Sequence, residues 1–522
     1  MNRHINFHGK VRRWNHNLSY RNSFSGEFGE LRPVWVEDGV PGDTFQYHPE
    51  ARIYFAPLVF PTLANLKARI DVFFVPNRLA WTEWESFITG GPDNNLSPAY
   101  PSIRNVYASA TPANQSMLNS VLPSTIKQYD SLLNNLGHPY ISGFTATDIT
   151  NDPFDFILWY DYQFIYDEYY RDEEKQASYT APNGVRDDVY DIFQRTNRFL
   201  GSMRKIAWSK DYFTTASLEQ QRGGDIPLLS NPIWRTLSPT SSGTTLLDPD
   251  PAGDGFTGIF TDVDGNNIES VLTINGLARL RSAAAWLNNN VVGGTRYIEQ
   301  LRSRYRVVSS DARLQRPEMV GSIELPVSID VVTSMAYTDF NQDSVYLGDR
   351  AGKMQIVGSG KTLTYSCEEF GYFIGIFHVA PKAAYFQGMR RNLQREDKFD
   401  FFMPEFMHVP QREIRNNEIY CDLNTLNPES GGVFGYTGQY NEYRTHQDEV
   451  HGEFQNTLLA WTMARKFSSL PSVDSDAFIQ VDSDAEGNNR IFADPTNGPH
   501  IFGVINNIVV KKSELVNREP HF

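Results

Sequence analysis

Cysteine is scarce: only Cys367 and Cys421 occur in 522 residues. Two thiols cannot staple a chain of this length, so a disulfide scaffold is excluded and a reducing compartment is the simpler setting. Long apolar runs are absent as well. None approaches the roughly 20 residues needed to cross a bilayer, so no membrane insertion is expected. The opening MNRHINFHGKVRRW has no apolar stretch of the secretory type, which predicts folding in the cytosol. Positive charge is in deficit. A net charge of −15 excludes a surface coated in basic nucleic-acid-binding groups but leaves room for one local basic patch.

Signatures of catalysis are also missing. The eleven histidines are scattered, with no HExxH and no Cys/His pair at zinc spacing, and no GxSxG turn occurs. Carboxylates are plentiful, but no spacing marks an acid/base pair. Residues 355–362, QIVGSGKT, end like a phosphate-binding loop, yet Gln355 replaces the first glycine and KTLTYSC reads as a strand where a helix is required. A Gly-Ser-Gly hairpin turn is the expected structure there. Residues 482–487, DSDAEG, resemble the start of a calcium loop, but Ala493 stands at the twelfth position in place of the bidentate Glu. No catalytic residue, metal ligand or cofactor is therefore assigned.

Aromatic residues are abundant, at 13%, and supply large flat groups for cores and interfaces. The most informative stretch is 66–91, LKARIDVFFVPNRLAWTEWESFITGG. Leu66, Ala68, Ile70, Val72 and Phe74 alternate on one face of a strand that stops at Pro76. A helix over 79–89 with Trp81, Trp84 and Phe87 follows and ends at Gly90-Gly91. Residues 25–75 read as β, broken at Pro33, at the Val40-Pro41-Gly42-Asp43 turn, at Pro57 and at Pro61. Residues 92–150 have weak periodicity and predict little regular structure. Helices are predicted at 152–172, with Asp152 as cap and Pro153 in the first turn, and at 187–201, 273–288 and from about Thr295. Strands return from 322, where Ile323, Leu325, Val327, Ile329 and Val331 alternate and Pro326 signals an edge or bulge. Residues 371–379 are apolar on both faces, and 501–510 form a late strand. Strands at both ends with helices and loops between them fit a Greek-key sandwich better than a parallel α/β fold.

Two segments carry distinctive charge. Residues 1–22 hold Arg3, Lys10, Arg12, Arg13 and Arg21 with no acidic residue, and predict a basic extended arm able to neutralise phosphate. Trp14 or Tyr20 could stack on bases. Residues 223–270 are rich in Gly, Pro, Ser and Thr and carry Asp248, Asp250, Asp254, Asp262, Asp264 and Glu269. They predict an exposed, elaborated loop. A second class of reading rests on the aromatics alone: a glycan-binding or polysaccharide-degrading β-sandwich.

Several blocks occur in one order that resembles the major capsid proteins of the Microviridae, small single-stranded DNA phages, especially the gokushovirus-like branch. They are SFSGEFGELRPV, VPGDTFQ, DVFFVPNRLAW with FITGG, YQFIYDEYYRDEEK, SKDYFTTAS, GGTRYIEQLRSRYRVVSSDARLQRPEMVG, EEFGYFIGIFHVAP, DKFDFFMPEF, NNEIY, VFGYTGQYNEYR and LLAWTMARKFSSLP. Together they span about residues 23–478. Met389 departs from the family's pattern, and 223–270 and the last forty residues match poorly.

The resemblance implies a mainly β subunit: an eight-stranded antiparallel jelly-roll sandwich with long helical and loop insertions. The expected divisions are a basic arm (1–22), first strands and aromatic helix (23–91), insertions (92–321) that include a variable outer loop (223–270), the remaining strands (322–510) and a tail (511–522). It implies about sixty copies closing an icosahedral shell around circular single-stranded DNA. The implied partners are internal scaffolding and minor or pilot proteins and a host cell-surface receptor. The implied location is the virion, assembled in the bacterial cytoplasm, with no catalysis by this chain.

Overall fold

The computed structural model describes residues 13–91, 98–178, 203–220, 281–286, 293–294, 296–335, 338–340, 343–345, 348–407, 409, 411–426 and 432–514. The chain divides into two compact units, residues 1–218 with 307–522, and residues 219–306.

The larger unit is a β-sandwich. Its strands begin with β1 (Trp14–Asn17), β2 (Tyr20–Gly26), β3 (Arg32–Gly39), β4 (Thr44–Phe55) and β5 (Leu66–Pro76). After the helical excursion come β6 (Glu318–Leu325), β7 (Val327–Thr333), the short hairpin β8 (Thr338–Phe340) with β9 (Asp343–Val345), β10 (Arg350–Ser359), β11 (Leu363–Ser366) and β12 (Gly371–Pro381). Two small ladders follow, β13 (Ala384–Tyr385) with β16 (Asp448–Glu449) and β14 (Gln411–Arg415) with β15 (Val433–Gly438), before the long last strand β17 (Ile501–Ser513). One main sheet runs β1-β17-β4-β10-β7, with β2 continuing the β1 edge on β17 and β11 continuing β10 on β4. The other runs β3-β12-β5-β6. All pairings within these two sheets are antiparallel.

Period-two patterning accounts for the core between the sheets. Phe45, Tyr47, Ala51, Ile53 and Phe55 of β4 face Ala68, Ile70, Val72 and Phe74 of β5 and Phe373, Phe377 and Val379 of β12 in one buried cluster. At its centre Trp35 stacks on Tyr47 with ring centroids 4.2 Å apart. Phe373 touches Trp35, Phe45, Phe74 and Tyr365.

Part of the opposite face of β5 and β12 is apolar too, which explains the continuous apolar stretches 72–75 and 373–377. Phe73, Val75, Ile374 and Ile376 belong to a second cluster with the helices α1 (Asn77–Ala80), α3 (Ile103–Ser109), α4 (Pro112–Ile126), α5 (Leu132–Asn135) and α6 (Ile157–Ile165). A helical layer therefore covers the outer side of the β3-β12-β5-β6 sheet. The outer side of the β1-β17-β4-β10-β7 sheet carries no comparable cover among the described residues.

Several sequence expectations need correction. The helix expected over 79–89 is two pieces, α1 and α2 (Trp84–Thr89), because Trp81 turns extended to bury itself completely; α2 does end at the left-handed Gly90. Residues 92–150 are not poor in structure: α3, α4 and α5 lie there. Asp152 does not cap the next helix. It meets His138 Nε2 at 3.0 Å, and Asp155 instead accepts the Ile157 N–H. Every residue of α6 is buried, so it has no solvent face, and five residues of π-helix (Tyr166–Tyr170) extend it.

The Gly358-Ser359-Gly360 stretch is not a hairpin turn. β10 and β11 lie end to end along β4, and the break falls opposite Pro49, which has no N–H to donate. Pro326 sits where the chain passes from β6 in one sheet to β7 in the other, both sheet edges, in keeping with proline's exclusion from sheet interiors. The Val40–Asp43 turn is present, with Gly42 at φ +90° and the Asp43 N–H donating to Val40 O at 3.0 Å.

In the smaller unit, residues 281–286 are helical, within the helix expected over 273–288, and a further helix spans Tyr297–Tyr305, where one was expected from about 295. There Arg304 lies over the Trp286 ring at 4.8 Å. The helix expected over 187–201 and the loop 223–270 lie outside the described residues.

Candidate functional surfaces

Of the five basic residues expected in an arm, Arg3, Lys10 and Arg12 lie outside the described residues. Arg13 Nε lies 3.8 Å from Glu514 Oε1. Arg21 is exposed and donates from Nε to Asn506 Oδ1 at 3.2 Å. The expected boundary at residue 22 falls inside β2, and residues 14–17 and 20–22 are edge strand paired with β17, not free chain. The alternation Tyr20, Asn22, Phe24 is too weakly apolar to announce that strand, whose partner is nearly five hundred residues away.

A second surface lies on the 3-10 turns between Arg395 and Val409. Phe399, Phe401, Phe402, Phe406, Met407 and Val409 are all exposed large apolar side chains within eleven positions. Phe399 and Phe406 meet edge to face at 5.7 Å, and Phe402 packs against Tyr440 at 5.0 Å. Arg395 lies 4.5 Å over the Phe401 ring and donates to the Tyr443 hydroxyl at 2.6 Å. The result is a held ledge of half-exposed rings, of the kind that anchors protein interfaces. Phe399, Phe402, Phe406 and Val409 fall at helical spacing, but the segment forms short 3-10 turns, so spacing alone does not reveal a ledge of exposed rings.

The buried charges are structural. A cleft bordered by Tyr212, Arg391, Glu418, Cys421 and Glu449 has its carboxylates occupied. Glu418 accepts from Tyr212 Oη at 2.9 Å, Arg391 Nη1 at 3.1 Å and the Arg415 N–H at 2.9 Å. Burial still raises its pKa. Arg465 is sandwiched among aromatic rings, 4.3 Å from Phe478 and 4.8 Å from Trp208. Asp161, on α6, is fully buried, and its carboxyl oxygens have no hydrogen-bond partner. Burial, with the nearby Asp155 charge, pushes its pKa well up.

Burial also raises Asp482, although it receives the Asn488 N–H at 2.8 Å; the DSDAEG stretch is a turn stitched to itself. Among the described residues no group of three or more His, Cys, Asp or Glu could hold a metal ion. No described helix is long and apolar enough to cross a membrane. The two cysteines are free, Cys367 buried and Cys421 partly so, and burial pushes the Cys367 thiol up to about 12.

Comparison with known proteins gives these surfaces a context. A family model described as "Capsid protein (F protein)" matches residues 6–521. The chain is 27% identical to capsid protein VP1 of Bdellovibrio phage phiMH2K, over 90% of this chain and 88% of that one. It is 26% identical to capsid protein VP1 of Chlamydia phage 1, over 88% and 87%. Identity to capsid protein VP1 of Spiroplasma virus 4 is 22%, over 86% and 84%. With nearly its whole length matched, the chain belongs to the phage capsid protein (F protein) family, whose members are structural proteins and not enzymes.

Proposed function

We propose that this chain is the major capsid subunit of a gokushovirus-like microvirus and that its sandwich is an eight-stranded jelly roll. Strand order carries the reading. Counting β1/β2 as the first strand and β10/β11 as the sixth, one sheet runs 1-8-3-6 and the other 2-7-4-5, with β7 added at an edge. That is the order in which a folded-over pair of Greek keys interleaves its strands.

On this reading about sixty copies close a shell around circular single-stranded DNA. The ring ledge at 399–409 is a contact for neighbouring copies, because clustered exposed apolar side chains mark protein–protein contacts. The basic N-terminal residues Arg3, Lys10, Arg12, Arg13 and Arg21 face the genome. Residues 223–270 project outward as a host-contact loop. An internal scaffolding protein and a minor or pilot protein assist assembly in the bacterial cytoplasm.

Copy number tests the proposal. A shell of 59.5-kDa subunits has a protein mass of about 3.6 MDa. Native mass measurement on particles from the natural source should give that value. A particle fraction in which this chain is a monomer or small oligomer would refute the reading. Protease treatment of intact particles should cut first within 223–270, and full protection there would remove the outer-loop assignment.

A further inference from the structure

The sandwich has one sheet face without a helical layer among its described residues, and its composition is unlike that of the chain as a whole. On the outer side of the β1-β17-β4-β10-β7 sheet, cross-strand register sets Phe502 beside Tyr54 and Tyr54 beside Gln355. In the next row Val504 neighbours Arg52, which neighbours Val357. In the row after that Arg21 neighbours Asn506, which neighbours Glu50. Lys512 lies between Asn15 and Thr44, and Lys353 lies opposite Asp330.

Tyr54 and Phe502 are 41% and 43% exposed. Arg21, Arg52, Lys353 and Lys512 are also exposed, and among the described residues none has an ion-pair partner. Four cations against two carboxylates (Glu50 and Asp330) reverse the balance of a chain with 47 basic and 62 acidic residues. Arg52 stands among Val504, Val357 and, on its own strand face, Tyr54.

From this juxtaposition we infer that the outer face of this sheet is a sequence-independent platform for single-stranded DNA, with Arg21, Arg52, Lys353 and Lys512 on phosphates and Tyr54 and Phe502 under bases. Charge decides the occupant. Phosphate is the ligand that guanidinium and ammonium groups without an ion-pair partner recognise. Exposed rings beside them suit base stacking, which tolerates any sequence. The inference rests on the capsid reading above. It shares Arg21 with the arm and differs from it in placing the contact on folded strands rather than on Arg3, Lys10, Arg12 and Arg13.

The test uses the full-length unassembled subunit, a fluorescein-labelled dT oligonucleotide and titration across salt. Single strands release about 0.7 counterion per neutralised phosphate, so Arg52→Gln/Lys353→Gln/Lys512→Gln should lower the slope of log affinity against log salt by about 2. Tyr54→Thr/Phe502→Thr, which places strand-favouring β-branched residues there, should weaken binding about tenfold with the slope unchanged. The control Arg104→Gln/Lys127→Gln, on the helical layer, should leave both unaltered.

A triple variant with the wild-type slope would overturn the inference. So would variants that bind DNA normally but no longer assemble, which would make the face a contact between copies. Either result leaves intact a wild-type chain found in DNA-filled particles. If the wild-type chain is not in such particles, the capsid reading itself fails.

Discussion

Replacing Phe373 by Ala should be among the most damaging single changes to the subunit. The side chain is 1% exposed and lies between both sheets. Its ring centroid is 4.7 Å from that of Phe45, 4.9 Å from Phe74, 5.3 Å from Trp35 and 5.6 Å from Tyr365. Deleting a buried Phe side chain loses its transfer energy and leaves a cavity that rigid neighbours cannot fill, at about 3–5 kcal/mol. Four aromatic contacts put this site at the upper part of that range.

With about 4 kcal/mol lost and a urea dependence of about 3 kcal/mol/M, the unfolding midpoint of the unassembled subunit should fall by about 1 M. Near-ultraviolet circular dichroism reports the transition, because Trp35 and Tyr47 are stacked in the same cluster. Phe401→Ala, at a ring 51% exposed, is the matched control and should move the midpoint far less. Equal shifts for the two variants would refute the assignment of the core between the sheets.

Asp161→Asn should raise the melting temperature at neutral pH. The buried carboxyl has its pKa pushed up, so the stability it permits is complete below the unfolded pKa and falls as pH rises toward the folded value. The gain should therefore shrink as melts are repeated toward pH 4, and a pH-independent gain would contradict it. Asp71 has the opposite sign. Burial works against its charge, but His378 and Tyr170 donate to it and hold its pKa down. Its stabilisation is present above the unfolded pKa and lost as pH falls through the folded value, so Asp71→Asn should cost about 1–3 kcal/mol at pH 7 and flatten the acid limb of a stability profile. Gly388→Ala should lower soluble yield and melting temperature, because a Cβ there collides with the Glu418 backbone carbonyl; an unchanged melt would show that the loop yields.

The β-helical-β organisation was legible because the sandwich strands are patterned. Leu66 to Phe74 alternate cleanly, and the doubly apolar run at 371–379 announced a strand buried on both faces. The helices at 103–126 were hidden by Pro, Asn and Ser, which dilute the apolar period; Leu118, Leu122 and Ile126 mark it only once α4 is known. Tertiary burial of Trp81 broke a helix that local pattern made continuous. The Gly-Ser-Gly stretch looked like a hairpin because sequence does not reveal that β4 pairs with strands on both sides of it.

The surfaces were harder to read. Arg52, Lys353 and Lys512 belong to three strands far apart in sequence, and only cross-strand register brings them to one face. The rings of 399–406 belong to a block that resembles the family, but their exposure depends on 3-10 turns that sequence spacing does not reveal. The family itself was readable because long blocks such as SSDARLQRPE keep their order.

Electron cryomicroscopy of nuclease-treated particles from the natural source tests the central claim most directly. The account predicts an icosahedral shell built from this chain alone in its main layer, with strand order 1-8-3-6 facing 2-7-4-5 and protected single-stranded DNA inside. A shell of another protein, or assemblies of this chain without icosahedral symmetry or protected DNA, would contradict it.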